Sequence, residues 1–424
     1  VKLSDKGRSI LAFFVKRKKM KSLKEVLMRK YYFDHVATNP LLPEVLEEMM
    51  PYFKEEFGNP LSVYDLGVRA REAIEKARQR VADMIKVKPS TIVFTSSGAE
   101  ANNFALRGIA LARQNQGRHI IVSKVEHHSI LNTARFLEKS GFVVTYLPVD
   151  RYGLVDPDVL KKSITKETIL ISITHASSEI GTIEPIKEIT QIAKEHNIIV
   201  HTDAVATAGN IPIDVNDLGA DLLSMAAHQF YGPKGAGALY IKEGLRIVPL
   251  IYGGIQEGGR RAGTENVPAI VGMGKAAEIA KESLSTRIQH YKKIRDRIIE
   301  GILKIPNVYL TGHPENRLPH HASFVVEFIE GEAMLLMLSM KGIYAASGSA
   351  CSSRALKSSP VLLSLGIPSA LAQGSIVFSV GIDNTEEDVD YLLREFPAIV
   401  NRLREMSPFS KGWGEESGEK CYTG

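Results

Sequence analysis

Five short stretches carry the residues that could do chemistry: TSSGAEANN with Ser97 and Gly98, VEHHSI with His127, HTDAVA with Asp203, AAHQFYGPKGAG with His228 and Gln229, and ASGSACSS with Cys351. An imidazole titrates near neutrality, so His127 and His228 are candidate acid or base groups, with hydrogen-bonded packing as the plain alternative. A carboxylate such as Asp203 at a strand end either caps the chain or holds a cation. Small residues leading into a helix at Ser97 and Gly98 expose backbone N–H groups that favour an anion. Cys351 offers a thiolate, which is a strong nucleophile and a soft metal ligand; short-loop retention without chemistry is the alternative. Cys421, in the polar tail, is read as incidental.

The elements that must position these groups alternate strand and helix. TIVFTSS, HIIVSKV, VVTYLPV, TILISITHA, IIVHTDAVA and DLLSMAA read as strands, with amphipathic helices such as GAEANNFALRGIALARQ, SILNTARFLEKSG and IKEITQIAKEHN between them. That order predicts an α/β domain with a largely parallel sheet. Ser96, Ser97, residues 126–128, residues 175–179, Asp203, His228 and Gln229 all fall at the carboxyl ends of strands, where such sheets bind ligands. Before them, PEVLEEMMPYFKEEF is expected as one helix opened by proline. After the loop IYGGIQEGGRRAGTEN a long helix is expected over roughly 267–303. A smaller α+β unit follows, with strands near ASFVVEF and SIVFSV. The expected division is a basic extension over 1–30, a large domain over 31–275, a small domain with the Cys351 loop over 276–407, and a flexible tail over 408–424.

Composition excludes several classes. Of 424 residues, 44% are hydrophobic, which fits a packed core, and two cysteines cannot build a disulfide scaffold. No apolar run is long enough to cross a membrane. Zinc-spaced cysteines, internal repeats and phosphate-loop or dinucleotide glycine motifs are absent from the sequence. The cysteine usage fits a reducing compartment, and a cytoplasmic location is expected. Residues 1–30 hold eleven Lys or Arg against two acids, a net of +9, so the rest of the chain is −4 within a formal total of +5 and the basic excess belongs to this leader. The leader is expected to be a solvated helix able to touch anionic surfaces, with Met20 as an alternative start. It is a poor secretory signal, and no specific nucleic-acid partner is expected.

The ordered blocks YFDHVATNPLLPEV, FGNPLSV, VEHHSI, EIGTI, HTDAVATAG, YGPKGAGALY, RAGTENVPAIVG and ASGSACSS resemble the cysteine desulfurases of the class V aminotransferase family, over about residues 31–407. The resemblance implies a PLP-dependent transferase-like fold, with a mostly parallel sheet of the seven-stranded type and a smaller α+β domain. It implies pyridoxal phosphate (PLP) as cofactor, a homodimer, and delivery of sulfur to a scaffold or acceptor protein. Asp203 matches the aspartate that pairs with the pyridine nitrogen, and His127 matches the histidine stacked on the ring. Ser97, Gly98 and His228 match the phosphate and lysine surroundings. Thr264 matches a threonine reaching across the dimer, and Cys351 the sulfur-accepting cysteine.

The sequence departs from that pattern at clustered positions. Gln229 stands at the Schiff-base lysine, and a carboxamide forms no covalent link to an aldehyde. Ala99 and Ala226 replace hydroxyl donors to phosphate, Ala206 a glutamine facing the ring, and Ser177 and Ser178 paired asparagines. Gln373 replaces a histidine, and Ile382 the arginine that clamps the substrate carboxylate. Lys234 is a poor substitute anchor, because the family has a lysine there as well. The leading expectation is therefore a non-catalytic or very weak desulfurase-like protein, with PLP non-covalent or absent. It would act as scaffold, regulator or carrier through Cys351, which is also a candidate ligand to an iron–sulfur cluster shared with a partner. The alternatives are an active PLP-dependent cysteine desulfurase that passes persulfide sulfur from Cys351, and a different enzyme reusing the pocket without PLP.

Overall fold

The computed structural model describes residues 30–348 and 358–407. Cys351, Cys421, the basic leader and the tail therefore lie outside the described residues. Seven strands form the main sheet in the order β2-β8-β7-β6-β5-β3-β4. These are β2 (Ile92–Thr95), β3 (His119–Ser123), β4 (Val143–Leu147), β5 (Thr168–Thr174), β6 (Ile199–Asp203), β7 (Leu222–Ala226) and β8 (Gly237–Ile241), numbered after a short β1 (Tyr31–Tyr32). Neighbours from β4 through β7 run parallel, and β8 runs antiparallel to both β7 and β2. β2 consequently points the same way as β7, so the carboxyl ends of β2, β3, β5, β6 and β7 share one edge. All five strands are buried along their whole length, which is why they read as continuous Ile, Val and Leu runs instead of alternating ones.

The expected helix over 43–57 is broken. Helix α1 (Pro43–Met49) ends at Met50, and a single turn restarts at Pro51. Pro51 has no N–H to continue the hydrogen-bond ladder. The long helix is realised as α6 (Val267–Ile302), which packs along α2 (Asp65–Met84). Its first half, from Val267 to Ala280, belongs to the core under the main sheet. Its second half, from Tyr291 to Ile302, belongs to a second core with Phe324, Phe378 and Phe396. That second core covers an antiparallel sheet ordered β12-β10-β9, made of β9 (Val308–Leu310), β10 (His321–Val326) and β12 (Ser375–Ser379). Helices α7 (Gly331–Met340) and α8 (Glu386–Met406) pack against it, and β11 (Ile343–Tyr344) pairs with β1. Between β2 and β6 the longer connecting helices are α3 (Gly98–Arg113), α4 (His128–Lys139) and α5 (Ile186–Glu195), with a short helix at Pro157–Ser163 between β4 and β5.

Candidate active site

Asp203 closes β6 and is 5% exposed. Its Oδ2 accepts from Asn102 Nδ2 at 2.7 Å, and its Oδ1 from the Val205 N–H at 3.0 Å. Burial raises its pKa, and the charge of His127 acts against that rise. Asn102 lies on the buried face of α3, among Ala101, Phe104 and Ala105. The same amide nitrogen donates to Ser129 Oγ at 2.8 Å, and Ser129 Oγ is 2.8 Å from His127 Nδ1. Asp203, Asn102, Ser129 and His127 thus form one hydrogen-bonded chain. His127 caps α4, its Nδ1 accepting the Ser129 N–H at 3.2 Å. With Nδ1 accepting, Nε2 is the nitrogen free to donate, and the side chain is exposed.

Beside this chain Glu126 is sealed from water. It accepts from Ser123 Oγ at 2.6 Å and from the Thr174 N–H at 2.8 Å, and burial pushes it up to about 8. The His175 N–H donates to the Asp203 carbonyl at 2.9 Å, fixing the end of β5 against that of β6. His175 Nδ1 lies 3.0 Å from Thr207 Oγ1, and burial pushes the ring down to about 4.

The anion cradle is built on α3. Ser97 is its N-cap and accepts the Glu100 N–H at 3.1 Å. None of the described residues accepts from the N–H groups of Gly98 and Ala99. A Cβ on Gly98 would sit 2.5 Å from Val205 Cγ2, so only glycine lets the helix start this close to the end of β6. Glu100 stands in the same turn, held by Ser96 and by Arg261 at 2.8 Å. Burial raises its pKa, but those partners outweigh it and hold the carboxyl below its usual range.

After β7, a single 3-10 turn over Ala227–Phe230 presents His228 and Gln229. The amide of Gln229 turns toward the N-terminal segment. Its Nε2 donates to Val36 O at 2.8 Å and to Ala37 O at 3.4 Å, while its buried Oε1 has no partner. Its backbone carbonyl accepts from Asn39 and Asn210. His228 is half-buried and its Nδ1 has no partner. Burial and then Lys234 lower its pKa.

Other expected positions fall nearby or apart. Ala226 and Ala206 are buried and lend no hydroxyl or amide. Ser177 is buried, while Ser178, Lys234 and Thr264 are exposed, Thr264 lying in the loop before α6. Gln373 is exposed at the end of a short helical turn. Ile382 is half-buried, packs on the second core and donates its N–H to Tyr231 Oη at 2.8 Å. Sequence reasoning did not single out Asn102 or Ser129. The available signal was an asparagine on the otherwise apolar face of α3.

These residues fit a PLP held without covalent attachment. The buried Asp203, fixed by two donors, suits a pyridinium; His127 stands next to it; and the free N–H groups of α3 suit a phosphate. They do not fit covalent attachment at 229, because a buried carboxamide bonded to Val36 O stands there.

The class-V aminotransferase family model matches residues 31–392. A protein named cysteine desulfurase IscS from Dictyoglomus turgidum is 52% identical over 388 residues, covering 91% of this chain and 98% of its own. One of the same name from Methanosarcina thermophila is 52% identical, covering 89% and 94%. A solved structure titled NifS-like protein superposes with a TM-score of 0.84 at 39% identity, covering 88% of this chain and all of its own. These relatives overturn the leading expectation of a non-catalytic scaffold, regulator or carrier, and support the desulfurase alternative. The expectation weighed single positions such as Gln229 and Ile382. It gave no weight to the hydrogen-bonded chain from Asp203 to His127, which those substitutions leave whole.

Proposed function

We propose, for a chain that belongs to the class-V aminotransferase family and to its cysteine desulfurases, that it releases alanine from L-cysteine with PLP held by non-covalent contacts alone. The observation that carries this reading is identity of 52% to a named cysteine desulfurase across nine-tenths of the chain. Bound PLP would supply an electron sink for the bonds at the substrate Cα. Asp203 would keep the proton on the pyridine nitrogen, with Asn102 and the Val205 N–H fixing its two oxygens. His127 would move a proton through Nε2, since its Nδ1 is occupied by Ser129. Gly98 and Ala99 would hold the phosphate through backbone N–H groups.

The overall transfer balances without an outside oxidant. The Cβ–S bond of cysteine breaks, an S–S bond forms to Cys351, alanine leaves, and the persulfide passes to an acceptor protein. We place this in a homodimer, with Thr264 meeting the neighbouring subunit. The test is alanine formation from L-cysteine with PLP supplied. Asp203→Asn should lower it by about 100-fold or more, because the variant loses the ring's counter-charge. Cys351→Ala should abolish persulfide on the protein. Unchanged alanine formation in Asp203→Asn would contradict the assignment.

A further inference from the structure

The middle of α6 carries two large polar side chains on its buried face, Arg287 and Tyr291, which are 6% and 1% exposed. Buried arginines elsewhere in the fold have acceptors. Arg78 grips both oxygens of Glu257, Arg295 donates to Leu318 O and Asp296, and Arg317 donates to three carbonyls and Ser323 Oγ. Arg287 donates to none of the described residues and forms no ion pair with them. Its guanidinium lies over the ring of Tyr231, 5.2 Å from the centroid. Nη1 is sealed from water without a partner, while Nε and Nη2 are not sealed. A cation–π contact offsets only part of the cost of burying a guanidinium. One face of the group is satisfied by Tyr231, and the open edge of its fork has no acceptor.

Other polar groups stand around the two tyrosines, and the charge of the Asp383 carboxylate reaches Tyr291. Tyr231 Oη is 3.4 Å from Tyr291 Oη. The rings of His290 and His320 lie 6.2 and 5.7 Å from that of Tyr291. His290 Nε2 and His320 Nδ1 are buried without partners, like Arg287 Nη1. Three unsatisfied nitrogens therefore gather around the two tyrosines. Tyr231 also joins this cluster to the site, since it stands two residues beyond Gln229 and accepts the Ile382 N–H at 2.8 Å. Guanidinium, Tyr231 ring and the backbone of residue 382 form one connected stack.

We propose that Arg287 anchors a subsite for the carboxylate of an α-amino acid, taking the duty that Ile382 cannot perform. A planar fork with one open edge matches a carboxylate's two oxygens. The proposal deepens the desulfurase reading by naming what holds the substrate, and its test does not depend on turnover.

Calorimetric titration of the full-length protein with L-alanine, ethylamine and inorganic phosphate separates the cases. Arg287→Met should weaken L-alanine binding by at least about tenfold, the scale of one charge-assisted hydrogen bond. Arg287→Lys should fall between, and ethylamine, lacking a carboxylate, should bind neither protein differently. Adding Ile382→Arg to Arg287→Met should restore binding, which a merely structural role for Arg287 would not allow. If Arg287→Met fails to fold by circular dichroism, Arg287→Lys carries the comparison. Unchanged L-alanine affinity in a folded variant overturns the proposal, as does loss of phosphate binding with L-alanine binding intact. Arg287-dependent L-alanine binding without alanine formation from L-cysteine would keep the subsite and remove the desulfurase reading.

Discussion

Gln229 shows what one residue decides. A carboxamide forms no imine with an aldehyde, and its Nε2 ties the turn to Val36 and Ala37. Gln229→Ala should destabilise the fold by about 1 kcal/mol, the cost of losing the donor to the half-buried Val36 carbonyl. The shift in denaturant midpoint at unchanged slope measures it, and a change within error would mean that water replaces the amide. Gln229→Lys should convert exchangeable PLP into PLP that survives borohydride reduction as added protein mass. No added mass in that variant would contradict the placement of residue 229 next to the ring. At this scale the sequence shows only residue types, as for Gln229, Ala206 and Ile382, and weighing those types singly led to the overturned expectation of a non-catalytic chain. It was silent on Asn102, because one asparagine in a helix does not reveal that it bridges Asp203 to Ser129. Arg287 was equally hidden: an arginine in a Lys- and Arg-rich helix reads as solvated until packing buries it.

At the scale of elements, the site depends on strand ends being held in register. The loop before α6 is fixed by Glu257, which takes both nitrogens of Arg78 and also the Phe94 N–H of β2. Without Glu257, Arg78 keeps only the exposed Glu75 carboxylate and the Ile92 carbonyl, and the Phe94 N–H loses its acceptor. Glu257→Ala should therefore cost about 2–3 kcal/mol, read as a fall in melting temperature. A loss below about 1 kcal/mol would mean that Arg78 finds water. The alternation of strands and helices was legible because buried parallel strands and amphipathic helices carry different periods. The antiparallel placement of β8 between β2 and β7 was not, since strand order depends on contacts far apart in sequence. The break at Pro51 could have been read from the proline but was masked by a continuous Glu-rich pattern on both sides.

For the whole molecule, buried titratable groups set opposing pH dependences. Burial pushes Glu126 and Glu184 up to about 8, so the folded state holds their protons more tightly than the unfolded chain between about 4.5 and 8. Their contribution falls as pH rises through that window. Burial pushes His175 and His201 down to about 4 and about 3, so the folded state holds fewer protons than the unfolded chain below about 6.5. Their contribution is lost as pH falls. The two effects oppose each other between about 4.5 and 6.5, and only the carboxyls act above it. Stability should therefore drop from pH 6.5 to 8, by up to about 1.4 kcal/mol per pH unit for each carboxyl. Glu126→Gln should flatten that limb in chemical denaturation, and a rise in stability from pH 6.5 to 8 would contradict the assignment. No helix among the described residues is long and apolar enough to cross a membrane.

The most direct measurement is alanine formation from L-cysteine by one preparation, dialysed free of PLP and then titrated with it. Activity should disappear on dialysis and return saturably with PLP, with no pyridoxyl mass left on the protein after borohydride. Absence of alanine at every PLP concentration, from protein shown to be folded, would contradict the proposed function.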